Sequence, residues 1–252
     1  MAVIALTSSS GSPGVTTTAV GLALSWPRPV VLVEADPTGS SGVLAGYFRG
    51  TREYDVGVVE LALSPAAPAD ALRDVLRPLN GEHANFVAGI RSPAQAYSLA
   101  PVWTPLAGVL ADLDEQGQDV IVDAGRLGLA GSPTPLIDTA DLTLLVTRTH
   151  LPSLATARAW AGVARGDGGW RSPGVLLVGE GQPYGRREVA KVLQVPVIAT
   201  LPDAPAEAAV FHRGSPPPRN FNAGALARGL RAAVASMQAC MARSRAELLG
   251  RS

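Results

Sequence analysis

The chain is nearly without lysine: Lys191 is the only one in 252 residues, and every other basic side chain besides histidine is arginine. With the high Ala, Gly and Pro content, this skew reads as coding bias rather than function. A single cysteine, Cys240, excludes an intrachain disulfide framework and a Cys-based zinc site, and fits a reduced, cytoplasmic setting. Three histidines, none in a His-x-x-x-His pattern, argue against a His-rich metal site. Excess charge is missing too. The 21 basic residues balance 21 acidic ones, which argues against a globally cationic nucleic-acid binder but leaves room for a local basic patch. No apolar run approaches the ~20 residues of a membrane-spanning helix. The apolar start ends after Leu6 with no basic region before it, so no signal peptide is expected. What the chain does have is apolar bulk, 47% of its residues, enough for a large core.

Short aliphatic runs alternate with longer Ala/Leu/Arg stretches. Strands are expected at 3–6, 30–34, 85–88, 119–123, 142–147, 174–178 and 195–200. Most are continuous apolar runs, as in strands buried on both faces of a parallel sheet. Helices are expected at 16–25, 56–63, 67–79, 103–115, 153–165, 186–194 and 205–213, with Pro205 suited to a first helical position. This spacing predicts an α/β fold with a doubly wound, mostly parallel sheet flanked by helices. The irregular stretch Gly214-Ser215-Pro216-Pro217-Pro218-Arg219 separates that body, 1–213, from a Pro-rich connector and C-terminal helix, 214–252. The final helix is expected from roughly 222 to 249, packing on the body or on a partner.

Ligands of such sheets bind at the carboxyl ends of the strands. The first strand leads into Ser8-Ser9-Ser10-Gly11-Ser12-Pro13-Gly14-Val15-Thr16-Thr17-Thr18-Ala19. Strand, Gly-rich turn, then Thr opening a helix is the layout of a phosphate-binding loop, with Val15 where its lysine stands. Backbone N–H groups along Gly11, Ser12 and Gly14 would surround an anion at the helix N-terminus, although Pro13 has none to give. Thr16 is placed to ligate Mg²⁺ and Thr17 to donate to the α-phosphate side. The plain alternative is a Ser/Gly-rich turn that merely caps a helix.

Two acidic constellations point to a nucleotide site as well. Val30-Val31-Leu32-Val33 runs into Glu34-Ala35-Asp36-Pro37-Thr38-Gly39, which places Asp36 near the loop to orient water. Asp119-Val120-Ile121-Val122-Asp123-Ala124-Gly125 ends a buried strand in a carboxylate suited to a Mg²⁺-linked role. Each acid alone is equally well read as a cap or turn residue.

Together these motifs resemble the ParA/MinD family of deviant Walker-A P-loop ATPases over most of the chain. Its loop, Lys-Gly-Gly-x-Gly-Lys-Thr-Thr, is matched by Ser10-Gly11-Ser12-Pro13-Gly14-Val15-Thr16-Thr17, and its Asp-x-Asp-Pro-Gln-Gly by Glu34 to Gly39. Val120-Ile121-Val122-Asp123 matches its second acidic strand. Ala140 to Thr147, followed by Leu151-Pro152-Ser153-Leu154, resembles its next strand and helix. Val195 to Asp203 resembles the segment flanking the adenine, with Pro202 among the base-side residues. Tyr184-Gly185-Arg186-Arg187-Glu188-Val189 is reminiscent of the TadZ/CpaE branch, which positions pilus and secretion machinery.

The resemblance implies an ATP or ADP site with Mg²⁺ on Thr16 and Asp123 and with Asp36 as the hydrolytic acid. The departures imply a degenerate one. Ser10 and Val15 replace the family's two loop lysines, and Val178-Gly179-Glu180 stands where an adenine-reading Asn is usual. Lost cations weaken the stabilisation of a transferring phosphoryl group. The expectation is therefore a pseudo-ATPase with a vestigial Asp36 and no required cofactor. It would serve as a spatial organiser or assembly adaptor for pilus/secretion, division or segregation machinery, cytoplasmic and recruited to a pole or the inner membrane face. Any homodimer should be independent of nucleotide, since Ser10 is too short to cross to a partner's phosphates. The alternatives are a weak but genuine ATPase in which an arginine, Arg126 being nearest in the motif, replaces the lysine, and a non-specific DNA-binding partition protein. The final helix carries Leu226, Leu230, Val234, Met237, Met241 and Leu248 near one face, with Arg228, Arg231, Arg243, Arg245 and Arg251 around it. It is longer than a MinD-type membrane helix, Ala-rich, and lacks Trp and Phe after Phe221, so packing is favoured over membrane binding.

Overall fold

A computed structural model of the chain describes residues 2–81, 83–113 and 117–249. Eight strands form one sheet: β1 (Val3–Ser8), β2 (Val30–Glu34), β3 (Arg77–Asn80), β4 (Ala84–Val87), β5 (Asp119–Arg126), β6 (Leu142–Arg148), β7 (Pro173–Val178) and β8 (Val197–Leu201). Their order is β3-β4-β2-β5-β1-β6-β7-β8. Every pairing is parallel except β3 with β4. The helices are α1 (Val15–Ser25), α2 (Val58–Leu63), α3 (Pro68–Val75), α4 (Pro93–Ala96), α5 (Trp103–Asp112), α6 (Thr134–Thr139), α7 (Leu151–Arg165), α8 (Arg186–Leu193), α9 (Pro205–His212) and α10 (Ala225–Leu249).

The continuous apolar runs are explained by two cores, one on each face of the sheet. Successive side chains of a strand point to opposite faces. Ile4, Leu6, Val30, Leu32 and Ile121 enter the layer shared with α1, α9 and α10. Ala5, Val31, Val33, Val120 and Val122 enter the other, under α2, α3 and α5–α8. With apolar partners on both faces there is no room for a polar alternation.

Three local expectations are corrected. The helix expected over 67–79 stops at Val75, and Arg77-Pro78 turns out as part of edge strand β3. Proline disfavours helical backbone in the residue before it and has no N–H for a central ladder, so an edge strand suits it. Strand β5 does not end at Asp123. It runs on to Arg126 through a register shift against β1, with Gly125 at φ 61. A π-helical turn, Val43–Tyr47, and helices α4 and α6 were not expected. The end of the helix expected over 103–115, the side chain of Leu248, and Arg251 lie outside the described residues.

Helix α10 lies against α1 and β8. Leu226, Leu230, Val234, Met237 and Met241 are all buried there. Gly21 permits the approach, because a Cβ at that position would meet the Leu230 side chain at 2.9 Å. The Glu207 carboxylate of α9 caps the helix, accepting from the backbone N–H groups of Ala225 (3.2 Å) and Leu226 (2.8 Å). Arg228, Arg231, Arg243 and Arg245 remain exposed. The apolar face is thus occupied by the body. No helix among the described residues is long and apolar enough to cross a membrane.

Candidate functional site

The loop between β1 and α1 is held by geometry that its small residues allow. Ser12 (φ 51) and Gly14 (φ 100) take left-handed backbone, and Gly14 caps α1. Gly11 faces open space: a Cβ there would meet nothing within 4 Å. Pro13 is buried. The Ser9 hydroxyl lies 3.3 Å from that of Thr156, and Ser10 donates to Ser153 at 3.5 Å, so both serines engage α7. The helix start carries no acidic residue in its first turn, which leaves its positive end uncompensated.

Beside this loop is a cavity of about 420 Å³. Ser12, Gly14, Thr16 and Thr17 line one side, and Pro202, Asp203, Pro205, Ala208 and Phe211 line another. Leu226 and Leu230 of α10 complete the wall. The sequence-level grouping of the loop with Pro202 is therefore one place in the fold. Gly11 and Val15 are outside the lining. Val15 is 7% exposed and packs in the core shared by α1, α9 and α10. Gly179 (φ 74) is likewise outside the lining; its carbonyl accepts from Thr149 Oγ1 at 2.7 Å.

Thr16 lines the cavity, whereas Asp36 and Asp123 do not. The Thr16 hydroxyl donates to the Asp123 carboxylate, which also accepts from the Gly125 N–H at 3.1 Å. Burial first, then the charge of Asp36, pushes Asp123 up to about 6 against those hydrogen bonds. Asp36 accepts from the Thr38 N–H at 2.9 Å and lies on the Cα of Gly125, where any Cβ would overlap its carboxylate. A hydroxyl and two carboxylates are hard oxygen donors of the kind Mg²⁺ takes, and a cation would offset the crowded charge that raises Asp123. No group of three or more His, Cys, Asp or Glu residues set to hold a metal ion occurs among the described residues, so nucleotide oxygens would have to complete the shell.

Glu34 proves to be structural. It accepts from Ser41 Oγ, from the Val43 N–H at 2.9 Å and from the Gly89 N–H at 3.4 Å. It therefore pins the segment entering the π-helical turn to the end of β2. Burial pushes its carboxyl up to about 7, the hydrogen bonds opposing and Asp123 adding. The folded group holds its proton to a higher pH than the unfolded one at 4.5. Its contribution to stability is thus complete below about pH 4.5 and is lost as pH rises through about 7. A shift of this size is on the order of 3 kcal/mol. Urea unfolding should show stability falling across that window, and Glu34→Gln should flatten it. An equally steep profile in the Gln variant would assign the effect elsewhere.

Arg126, expected as the nearest substitute cation, is exposed beside Ser8 and does not line the cavity. Arg148 does. It ends β6 and pairs with Asp203 at 2.8 Å. Sequence reasoning passed over it because an arginine after a strand looks like any solvated charge; its place at a strand's carboxyl end was the available signal. His212, also in the lining, has a buried Nδ1 without a hydrogen-bond partner among the described residues. The segment Tyr184 to Val189 is accounted for locally. Glu188 accepts from the Gly185 N–H at 2.9 Å to cap α8, and Arg186 donates to the Val197 carbonyl at 3.0 Å.

No protein-family profile matches the chain, and no curated protein does. Among solved structures it is similar to the cell division ATPase MinD of Pyrococcus furiosus, with 17% identity and a TM-score of 0.74 over 94% of this chain and 98% of that one. A chain of the MinC:MinD cell division protein complex of Aquifex aeolicus gives 14% identity and 0.74, over 95% and 96%. MinD of Pyrococcus horikoshii complexed with Mg-ADP gives 16% and 0.69, over 92% and 93%. At these identities the likeness establishes the fold: the eight-stranded, mostly parallel sheet of P-loop ATPases of the MinD/ParA kind, with a C-terminal helix.

Proposed function

We propose that the chain is a MinD/ParA-like spatial organiser or assembly adaptor whose nucleotide site binds weakly and does not hydrolyse ATP. The observation that carries this reading is Val15, buried in the core at the position where the resemblance places the phosphate-gripping lysine. The rest of the apparatus persists around it. The loop N–H groups would hold phosphate oxygens, Thr16 and Asp123 would hold Mg²⁺, and Asp36 would orient water. Mg²⁺ would neutralise phosphate charge when bound. Without a loop lysine, charge stabilisation of a transferring phosphoryl group falls short by several kcal/mol.

An adaptor needs a partner, and the MinC:MinD complex supports a protein one. The branch suggested by Tyr184 to Val189 favours a pilus or secretion component. Self-association would be independent of nucleotide, since Ser10 replaces the crossing lysine. Balanced net charge weighs against DNA as the partner.

The expected result is that ATP hydrolysis with Mg²⁺ is no faster in the natural protein than in Asp36→Ala. A Mg²⁺-dependent phosphate release that disappears in Asp36→Ala would replace this reading with that of a weak but genuine ATPase.

A further inference from the structure

Among the described residues, the cavity beside the loop is lined by one arginine or lysine, and it comes from a strand rather than from the loop. We propose that Arg148 is the anion-binding residue of this cavity, and that it holds the phosphate nearest the nucleoside after leaving Asp203. This rests on the reading of the cavity as a nucleotide site.

Three observations carry it. Arg148 is fixed where such a residue is needed. In β6, Leu144 and Val146 point into the α1-side core, and side-chain alternation sends Arg148 to the same face, two residues past the point where Val146 pairs with Ser8 of β1. It therefore projects where the loop folds over the sheet. Next, Arg148 has donors to spare. Asp203 engages Nη1 at 2.8 Å, while Nε and Nη2 make no hydrogen bond within the described residues. A guanidinium fork can take phosphate oxygens on its remaining N–H groups. Finally, the pair is easily opened: the side chains are 37% and 25% exposed, and ion pairs in contact with water contribute little.

The same geometry limits what Arg148 does. Asp36 and Asp123 are absent from the cavity lining, whereas Arg148 shares it with Pro202, Asp203 and Phe211. The apolar walls suit a base, and Arg148 lines the cavity together with them. It grips the inner phosphate and lies away from the carboxylates that would serve the outer one. Affinity should then depend little on how many phosphates follow. Asp203 is the brake: it neutralises Arg148 in the empty cavity and repels an incoming anion.

Binding of a fluorescent N-methylanthraniloyl ADP, followed by anisotropy, tests this. Arg148→Ala should weaken it at least tenfold, with Arg148→Lys retaining part of the affinity. Asp203→Asn should tighten it about fivefold. The double variant Arg148→Ala/Asp203→Asn, which leaves no unpaired carboxylate to upset folding or repel the probe, should bind better than Arg148→Ala and still several-fold more weakly than the natural protein. AMP, ADP and ATP should displace the probe at concentrations within about threefold of one another. Equal binding by the natural protein and the double variant overturns the role of Arg148 and leaves the nucleotide site standing. A strong preference for ATP over AMP overturns the inner-phosphate assignment. No binding by any variant, Asp203→Asn included, overturns the inference together with the nucleotide-site reading, whereas the adaptor role and the hydrolysis result are judged separately.

Discussion

Glu34→Ala is expected to destabilise the protein by about 3–5 kcal/mol, because it orphans three donors at once. Ser41 Oγ, the Val43 N–H and the Gly89 N–H all converge on this one buried carboxylate. Removing an acceptor costs the desolvation of each donor left behind, about 1–3 kcal/mol apiece, partly relieved where water enters. The segment they hold also touches the site: a Cβ at Gly42 would meet Thr16 Cγ2 at 2.8 Å. Losing Glu34 should therefore loosen the entry to the π-helical turn and the seat of Thr16 together. Glu34→Gln keeps one acceptor oxygen and should cost much less. Urea unfolding at pH 5, where the buried carboxyl is neutral, compares the three proteins. An alanine variant within 1 kcal/mol of the natural protein would mean that the segment finds other acceptors without cost.

Val15→Lys is expected to lower stability by about 2–4 kcal/mol in the absence of ligand. The side chain at this position is 7% exposed among apolar neighbours, so lysine must either bury its ammonium or leave the core and abandon the contacts of valine. A cation in the first turn also opposes the positive end of α1. For a chain of this size the melting temperature should fall on the order of 10 °C. If the lysine turns toward the loop it gains phosphate as a counterion, so ATP should restore more stability to Val15→Lys than to the natural protein. Thermal unfolding with and without ATP and Mg²⁺ measures both effects. A variant as stable as the natural protein without ligand would show that Val15 contributes no packing. A destabilised variant with no response to ATP would place the decay on the base side, around Gly179 and Pro202.

How far the sequence could be read depended on whether a feature is local. The loop Ser9 to Gly14, the strand before it and the acids at 36 and 123 are contiguous motifs, so spacing alone located them. Seven strands were visible because a run buried on both faces has no polar residue to interrupt it. Strand β3 was hidden because Arg77-Pro78 follows helix-like spacing and pairs only with β4. Arg148 and Asp203 are 55 residues apart and meet only because β6 and β8 flank β7. Nothing in either local segment signals the other. Val15 was read as a missing lysine; that its side chain anchors the helix in the core follows from the three-dimensional packing of α1 under α10.

Leu226 and Leu230 do two jobs: they seat α10 on the body, and they wall the cavity. Two events that share the same atoms are thermodynamically linked. An occupant that contacts Leu226 and Leu230 only when the helix is docked would bias the helix toward that position by some factor. A protein that engages the exposed arginine face of the docked helix must raise the affinity of the cavity by that same factor. The reciprocity needs no turnover. On the reading proposed above, a site that binds without hydrolysis would report to a partner by occupancy alone, with the concentration of its ligand, rather than a chemical step, setting the state of the helix.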